Sequence, residues 1–215
     1  VQSTYAKEAV SITEKKPNQK YEWVPSNPKG FGEWFDNINA RFLAANLFEK
    51  KKRIWEENRV LFAANSNVED VPDFYVRSSL QRVIQLLKRH RDLYFERFKN
   101  GGNLRPASVI ITSLSAKIAS QATATELSEL LSFVVHGLKD YSSLLQGKRP
   151  PVRFNGEVRN YIDKRDQKWW IPNPVNPEDN YADSWTDETA KAFFMWVDTV
   201  VMDLSDITVD NEPRY

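Results

Sequence analysis

The most distinctive group of reactive side chains in the sequence is a basic cluster within residues 86–92. Lys88, Arg89, His90 and Arg91 follow one another directly after an apolar stretch. A lysine ammonium is a compact point charge, so such a cluster suits the oxygens of a polyphosphate. A solvated helix side that forms ordinary ion pairs between residues four apart would give the same pattern. Spacing alone leaves both interpretations open.

A second candidate is the hydroxyl-rich segment 110–117. It contains Thr112, Ser113 and Ser115 and ends in Lys117. Hydroxyls at a helix entry can hydrogen-bond phosphate oxygens, and a nearby lysine adds positive charge. The alternative is that these hydroxyls bond to the backbone of their own helix, which is common for Ser and Thr.

Several kinds of active site are excluded by residues that the chain lacks. It has no cysteine, so thiolate zinc sites, disulfides and Cys nucleophiles are absent. Its two histidines, His90 and His136, are too few for a His-rich metal site, and we expect them to be a surface and a packed histidine. No Gly-rich phosphate loop occurs, and the first aspartate, Asp36, falls inside a predicted helix. We therefore assign no catalytic or metal-binding residue.

Composition predicts a folded protein. Hydrophobic residues make up 41% and aromatic residues 13%, which is enough for a core. Thirty Lys and Arg against 29 Asp and Glu leave a net charge of +1, which argues against a nucleic-acid partner. No apolar run is long enough to span a membrane, and the first residues lack the apolar core of a signal peptide. We expect a cytoplasmic protein with no membrane partner.

Helices must position both candidate segments. Apolar residues at helical spacing predict a helix after residue 30, a second from Ser79 to the glycines at 101–102, and a third over about 106–120. A fourth is expected over about 123–145, because Thr123 and Glu126 have the spacing of a capping box, and a last one starts near Thr186. Two extended segments, 9–13 and 21–24, predict a hairpin. The predicted fold is mainly α, or α+β overall, a helical bundle with a small N-terminal β-hairpin.

Four segments carry a family resemblance through their order along the chain. They are residues 26–31 with Trp34 and Phe35, residues 80–92, residues 110–117, and residues 173–180 with Trp185. Together they resemble the bacterial nucleotidyltransferases that make cyclic di- and trinucleotides in anti-phage defence, often called CD-NTases. These are relatives of animal cyclic GMP-AMP synthase and oligoadenylate synthetase. The resemblance covers roughly residues 8–200.

The resemblance implies a two-lobed enzyme whose helical lobe closes over the nucleotides. Lys88 and Ser113 match the positions that contact the donor triphosphate, and Lys117 marks the motif. Arg91 is assigned to the same nucleotide site, as is Asp183 in the polar loop 178–183. A rigid proline-rich connector, whose tryptophans at positions 169, 170 and 185 fill the core, is the alternative for that last segment.

The chain departs from the family in one way. The Gly-Ser motif and the three metal-binding acidic residues of the catalytic lobe would lie before residue 1. We therefore expect a C-terminal part, produced by truncation or proteolysis, with residual strands of the nucleotidyltransferase lobe at 1–28. The helical lobe would occupy 29–205 and a polar tail 206–215. Mg²⁺ would be held by the missing lobe, and the isolated chain would be inactive.

The functional hypothesis is that the intact protein joins nucleoside triphosphates into a cyclic messenger for anti-phage defence. A ribose hydroxyl would attack an α-phosphate and pyrophosphate would leave. Its partners would be the triphosphates and, in addition, regulatory or effector proteins. One alternative is a non-catalytic helical module that binds a protein or a nucleic acid. Another is synthesis of a linear polymer, as in oligoadenylate synthetases.

Overall fold

The computed structural model describes residues 5–15, 20–57, 77–150 and 160–210. Six α-helices lie in these ranges: α1 (Pro28–Glu57), α2 (Ser79–Phe95), α3 (Gly101–Leu104), α4 (Ser108–Ala119), α5 (Leu127–Asp140) and α6 (Asp187–Asp210). Two antiparallel pairs of strands accompany them: β1 (Val10–Lys15) with β2 (Tyr21–Ser26), and β3 (Asp163–Arg165) with β4 (Lys168–Trp170). The predicted mainly α fold with an N-terminal hairpin is confirmed.

The first two long helices begin at side-chain caps. Asn27 accepts a hydrogen bond at Oδ1 from the backbone N–H of Gly30 at 2.9 Å, and Pro28 stands at the first helical position, where its missing N–H has no consequence. Ser78 and Gln81 form a reciprocal capping box at the start of α2, with both hydrogen bonds at 3.0 Å. These caps explain why the predicted starts near residues 26–30 and at Ser79 are confirmed.

The predicted capping box at Thr123 is wrong. The backbone of Glu126 is extended, with φ −69° and ψ 145°, and α5 begins only at Leu127 without a side-chain cap. Residues 123–125 therefore precede the helix instead of forming its first turn. At the other end α5 stops at Asp140, and the chain continues as a 3-10 helix to residue 146. Gly147 ends it with φ +68°, a left-handed conformation that glycine adopts without steric cost.

The glycines at 101–102 were predicted to close the helix that begins at Ser79, but α2 already ends at Phe95. Gly101 instead begins the short α3, folded back against the end of α2. A Cβ on Gly101 would lie 1.8 Å from the carbonyl oxygen of Phe95, whereas a Cβ on Gly102 would meet nothing within 4 Å. Only the first of the two glycines is required by a close backbone approach.

We expect Gly101→Ala to lower the free energy of unfolding by about 2 kcal/mol or more, because a backbone oxygen cannot move aside as a flexible side chain can. Gly102→Ala is the matched control and should leave stability unchanged or raise it by about 0.5 kcal/mol. Urea denaturation of both variants measures the difference. Equal destabilisation by the two substitutions would contradict the close approach.

The hydrophobic core lies where α2, α4, α5 and α6 meet, and α4 is its central element. Buried residues occur on almost every side of α4, including Ile110, Leu114 and Ile118. The predicted apolar face of α2 is confirmed, since Leu80, Val83, Ile84, Leu87 and Tyr94 are all buried. The largest fully buried side chains are Trp169, Trp196, Phe42, Phe193 and Phe194.

α1 packs across the ends of two core helices. At the start of α2, Ser78 donates a hydrogen bond to Oδ1 of Asn39. At the end of α4, Arg41 donates to the carbonyl of Ala119. Because Asn39 and Arg41 are close neighbours on α1, the start of α2 and the end of α4 lie near the same stretch of that helix.

Some predicted boundaries shift. α1 runs to Glu57, into a region that the sequence left as mixed, while the rest of that region at 58–75 lies outside the described residues. The hairpin turn at 16–19 and residues 152–159 also lie outside them. α6 continues to Asp210, so the first five residues of the predicted polar tail, 206–210, are helical. No helix in the described ranges has the length and apolar character needed to cross a bilayer.

Candidate functional site

The four members of the basic cluster point in different directions around α2. Successive helical residues are separated by about 100°, so a run of four covers most of the circumference. Arg89 is exposed and Arg91 is 6% exposed, while Lys88 and His90 are half-buried on opposite flanks. The cluster is therefore not one continuous cationic surface, and each member has its own surroundings.

Arg91 connects α2 to the start of α4. Its Nη1 donates to the carbonyl of Pro106 at 2.9 Å and to Oγ of Ser108 at 3.1 Å. Its Nε and Nη2 donate to Oδ1 of Asp92 at 3.0 and 2.7 Å. Most of its donors are thus used inside the protein. Since the start of α2 lies near the end of α4, this contact at their other ends shows that the two helices run in opposite directions.

Lys88 has a different environment, although it lies on the same helix. Its side chain is half-buried, and within the described residues its ammonium has neither a hydrogen bond nor an ion pair. Burial lowers the pKa of Lys88, and the positive charge of Arg91 lowers it further. An ammonium that has lost part of its water without gaining a partner is favourably placed to receive an anion.

Ser113 is completely buried on α4, and its hydroxyl has no hydrogen-bond partner among the described residues. Thr112 beside it bonds to the carbonyl of Ser108 at 2.9 Å, which is the usual arrangement for a hydroxyl in a helix. Ser79 and Ser115 are unpaired in the same way. An unpaired buried hydroxyl is destabilising, and a ligand that reached Ser113 would satisfy it.

Lys88 on α2 and Ser113 on α4 both lie within two helical turns of the contact between Arg91 and Ser108. Lys88 lies three residues, about 4.5 Å along the helix axis, from Arg91, and Ser113 lies five residues, about 7.5 Å, from Ser108. Both candidates therefore lie within about 7.5 Å, measured along their own helices, of the residues that form this contact. That these two residues contribute to one nucleotide site stays a prediction.

Lys117, one helical turn beyond Ser113, is joined to a distant part of the chain. Its Nζ donates to the carbonyl oxygen of Pro172 at 2.6 Å. Burial lowers the pKa of Lys117 from 10.5 to about 8. No signal in the sequence near either residue indicates this contact, because 55 positions separate the partners.

The segment that follows Pro172 is a loop held by asparagine side chains. Oδ1 of Asn180 accepts from the backbone N–H groups of Ile171 and Ala182, both at 2.9 Å. Asn173 accepts from the N–H of Val175 at 3.1 Å and donates to Asp179 at 3.0 Å. These asparagines are used within the loop and are not free to contact a ligand.

The burial of Asp183 and of three nearby tryptophans bears on the roles that the sequence predicts for them. Asp183, predicted to lie in the nucleotide site, is exposed. Trp169 is 1% exposed and fills the core, as the connector alternative predicts, whereas Trp170 and Trp185 are only half-buried. The loop is thus anchored by a core tryptophan and presents its carboxylates to solvent.

His90 bridges α2 and α6. The indole N–H of Trp196 donates to Nδ1 at 3.0 Å, and Nε2 lies 2.8 Å from Oδ2 of Asp203. Because an indole N–H can only donate, Nδ1 must accept, and Nε2 carries the proton that faces Asp203. Both ring nitrogens are therefore used. The sequence analysis missed Trp196 and Asp203 as partners, since they lie more than 100 positions away.

The second histidine, His136, makes its contact within its own helix. His136 is half-buried, and its Nδ1 lies 2.8 Å from the carbonyl of Ser132 in its own helix. In the ranges that the structure describes, no group of three or more His, Asp or Glu side chains is arranged to hold a metal ion. The described residues therefore do not fit the Mg²⁺ that the resemblance implies.

The described residues thus form a helical core that carries a half-buried lysine, Lys88, with a lowered pKa and no hydrogen-bond partner among them. The chain is 28% identical over 205 residues to a c-di-GMP synthase of Roseivirga ehrenbergii, covering 94% of this chain and 44% of that protein. It is 26% identical over 170 residues to the cyclic dinucleotide synthase CdnG of Bradyrhizobium diazoefficiens, covering 76% of this chain and 34% of that protein.

These relatives confirm the resemblance to the CD-NTase family over most of the chain. The chain spans less than half the length of either relative. No family model matches it, and no solved structure matches it at a significant level.

Proposed function

We propose that this chain is the helical, nucleotide-binding part of an enzyme that joins nucleoside triphosphates into a cyclic oligonucleotide. The proposal rests on the alignment of a c-di-GMP synthase with 94% of this chain, at 28% identity. The reaction would be attack of a ribose hydroxyl on an α-phosphate, with pyrophosphate as the leaving group. The proposed biological setting is anti-phage defence in the cytoplasm, with regulatory or effector proteins as further partners.

Lys88 is the proposed ligand of the donor triphosphate. Its half-buried ammonium has no partner within the described residues, so bringing a phosphate oxygen to it breaks no existing bond. Burial already disfavours the charged form, and a nearby phosphate would reverse that effect. A charged hydrogen bond formed at a desolvated site is stronger than one formed on the surface.

The proposed contribution of Ser113 is a hydroxyl hydrogen bond to the same triphosphate. Its buried hydroxyl, which has no partner among the described residues, supports this role. Its complete burial means that neighbouring side chains must move when the ligand enters. Arg91 would act in the same site mainly by holding α2 against α4, since its donors bond to Asp92, Pro106 and Ser108.

We further propose that the catalytic carboxylates and Mg²⁺ belong to a part of the protein outside these 215 residues. The relatives exceed the matched region by more than half of their length, which leaves room for such a lobe. The hairpin supports a sheet beyond β1 and β2, because Tyr21 and Trp23 are 66% and 73% exposed on a two-stranded ribbon. A lone hairpin is marginally stable in water and usually requires further strands.

The test is a comparison of the 215-residue chain with the product of the complete gene. Both are incubated with ATP, GTP, CTP, UTP and Mg²⁺, and the products are treated with alkaline phosphatase and identified by mass spectrometry. A cyclic oligonucleotide has no terminal phosphate, so it keeps its mass, whereas a linear product loses phosphate. We expect a phosphatase-resistant product from the complete protein and none from the chain alone.

Other outcomes would each overturn a part of the proposal. A product from which phosphatase removes phosphate would indicate linear synthesis. No product from the complete protein, with no binding of any triphosphate, would favour a non-catalytic module.

A further inference from the structure

Lys117 and Pro172 form a hydrogen bond between two parts of the chain that are distant in sequence. It joins the central helix α4 to the loop between β4 and α6, at an Nζ to oxygen distance of 2.6 Å. Within the part of the chain that the structure describes, it is the only side-chain hydrogen bond between α4 and residues 171–182. Proline has no N–H, so its carbonyl is the one backbone group that Pro172 can offer.

The loop on the far side of this bond behaves as one unit. Asn180 forms an isolated β-bridge with Pro172, and the N–H of Tyr181 donates to the carbonyl of Ile171 at 2.9 Å. The backbone N–H of Asn173 donates to the carbonyl of Asp179, also at 2.9 Å. These bonds cross-link the loop internally, so the bond from Lys117 to Pro172 adds a polar attachment to α4 beside the buried side chains of Ile171 and Ala182.

The ammonium of Lys117 is already committed and largely enclosed. Burial is the cause that lowers its pKa to about 8, and Pro172 is its hydrogen-bond partner. In this respect it differs from Lys88, which is also half-buried but has no partner within the described residues. Two lysines that the sequence placed in one nucleotide site thus have different environments.

We propose that Lys117 is a positioning residue that clamps the loop 171–182 to α4 and does not bind phosphate itself. The clamp fixes the loop, with its exposed carboxylate of Glu178, relative to α4, the helix that also carries Ser113. The assignment of a ligand to Lys88 and Ser113 rests on the proposed function, whereas the clamp itself does not.

The first experiment measures hydrogen–deuterium exchange in the loop. Lys117→Met keeps the length and apolar part of the side chain but removes its donor. We expect amides within 171–182 to exchange roughly tenfold faster, because a hydrogen bond from a charged donor is lost, while α2 is unaffected. Lys117→Arg keeps a donor and should restore most of the protection. Lys88→Met is the control and should leave exchange in the loop unchanged.

The second experiment measures stability as a function of pH, to distinguish a clamp from a phosphate ligand. It compares the wild type with Lys117→Arg, so it does not require the Met variant to fold. The pKa of Lys117 is about 8 in the folded protein and 10.5 in the unfolded reference, so the folded state binds fewer protons between these values. Stability of the wild type relative to the Arg variant should therefore rise as pH increases from 8 to 10.5.

The complete gene product is then measured with and without a nonhydrolysable GTP analogue. A phosphate bound at Lys117 would raise the pKa of Lys117, so the pH range in which relative stability rises would move upward. If Lys117 only clamps the loop, the analogue leaves that pH range unchanged. Unchanged loop exchange in Lys117→Met, or a window displaced by the analogue, would overturn the proposal. If the analogue does not bind at all, the proposed function fails, while loop exchange in the 215-residue chain still tests the clamp.

Discussion

Lys88→Met is expected to weaken binding of a nucleoside triphosphate to the complete protein by about tenfold to a hundredfold. A hydrogen bond between charged groups contributes about 1.5–3 kcal/mol, which corresponds to this range. The substitution should not lower the stability of the 215-residue chain, because the ammonium that it removes is partly desolvated and has no partner among the described residues. Isothermal titration calorimetry measures the affinity, and urea denaturation measures the stability.

Arg89→Met is the matched control for that loss of affinity. Arg89 is the next residue along α2, but it is exposed and lies on a different side of the helix. Both substitutions remove one positive charge, so a loss caused by general electrostatics would be similar for the two. A large loss that is confined to Lys88→Met assigns the contact to Lys88, and equal losses would contradict the assignment.

Trp196→Ala is expected to lower the free energy of unfolding by about 3–5 kcal/mol. Trp196 is 0% exposed at the centre of the core, where it packs against Phe193, and its N–H bonds to His90. A loss of this size is a large part of the stability of an ordinary domain. Urea denaturation, followed by circular dichroism, gives the midpoint and the free energy.

Two variants resolve the origin of that effect. Met195→Ala changes the preceding residue, which is 52% exposed, and should alter stability by no more than about 0.5 kcal/mol. Trp196→Phe keeps most of the apolar volume but removes the donor to Nδ1 of His90, so about 1 kcal/mol should be lost. If Trp196→Ala and Met195→Ala were equally mild, the described core would be incorrect.

Local patterns in the sequence were sufficient for most of the helices. The apolar spacing in α2 and the polar residues before α1 are local signals, and both helices begin where these signals indicate. Local signals also failed in one case, because Thr123 and Glu126 have the spacing of a capping box while the chain there is extended. The same spacing at Ser78 and Gln81 does form a capping box, so the signal is right at one position and wrong at the other.

The arrangement of the site depends on contacts that spacing cannot reveal. The partner of a polar side chain is chosen by the tertiary fold, and Lys117 bonds to a carbonyl 55 positions away. The sequence predicts that Lys88 and Lys117 are cations of one nucleotide site, but only Lys117 has a hydrogen-bond partner within the described residues. The direction of each side chain around α2 followed from helical geometry once the contacts of Arg91 and His90 were known.

The hairpin has a consequence for how the 215-residue chain behaves by itself. Each of its strands pairs only with the other in the described ranges, so both outer edges carry unpaired backbone donors and acceptors. Such edges are templates for intermolecular strand pairing. The exposed side chains of Val10, Ile12 and Trp23 add apolar surface that favours association. We therefore expect concentration-dependent self-association of the isolated chain that begins at β1 and β2, far in sequence from α2, α4, α5 and α6.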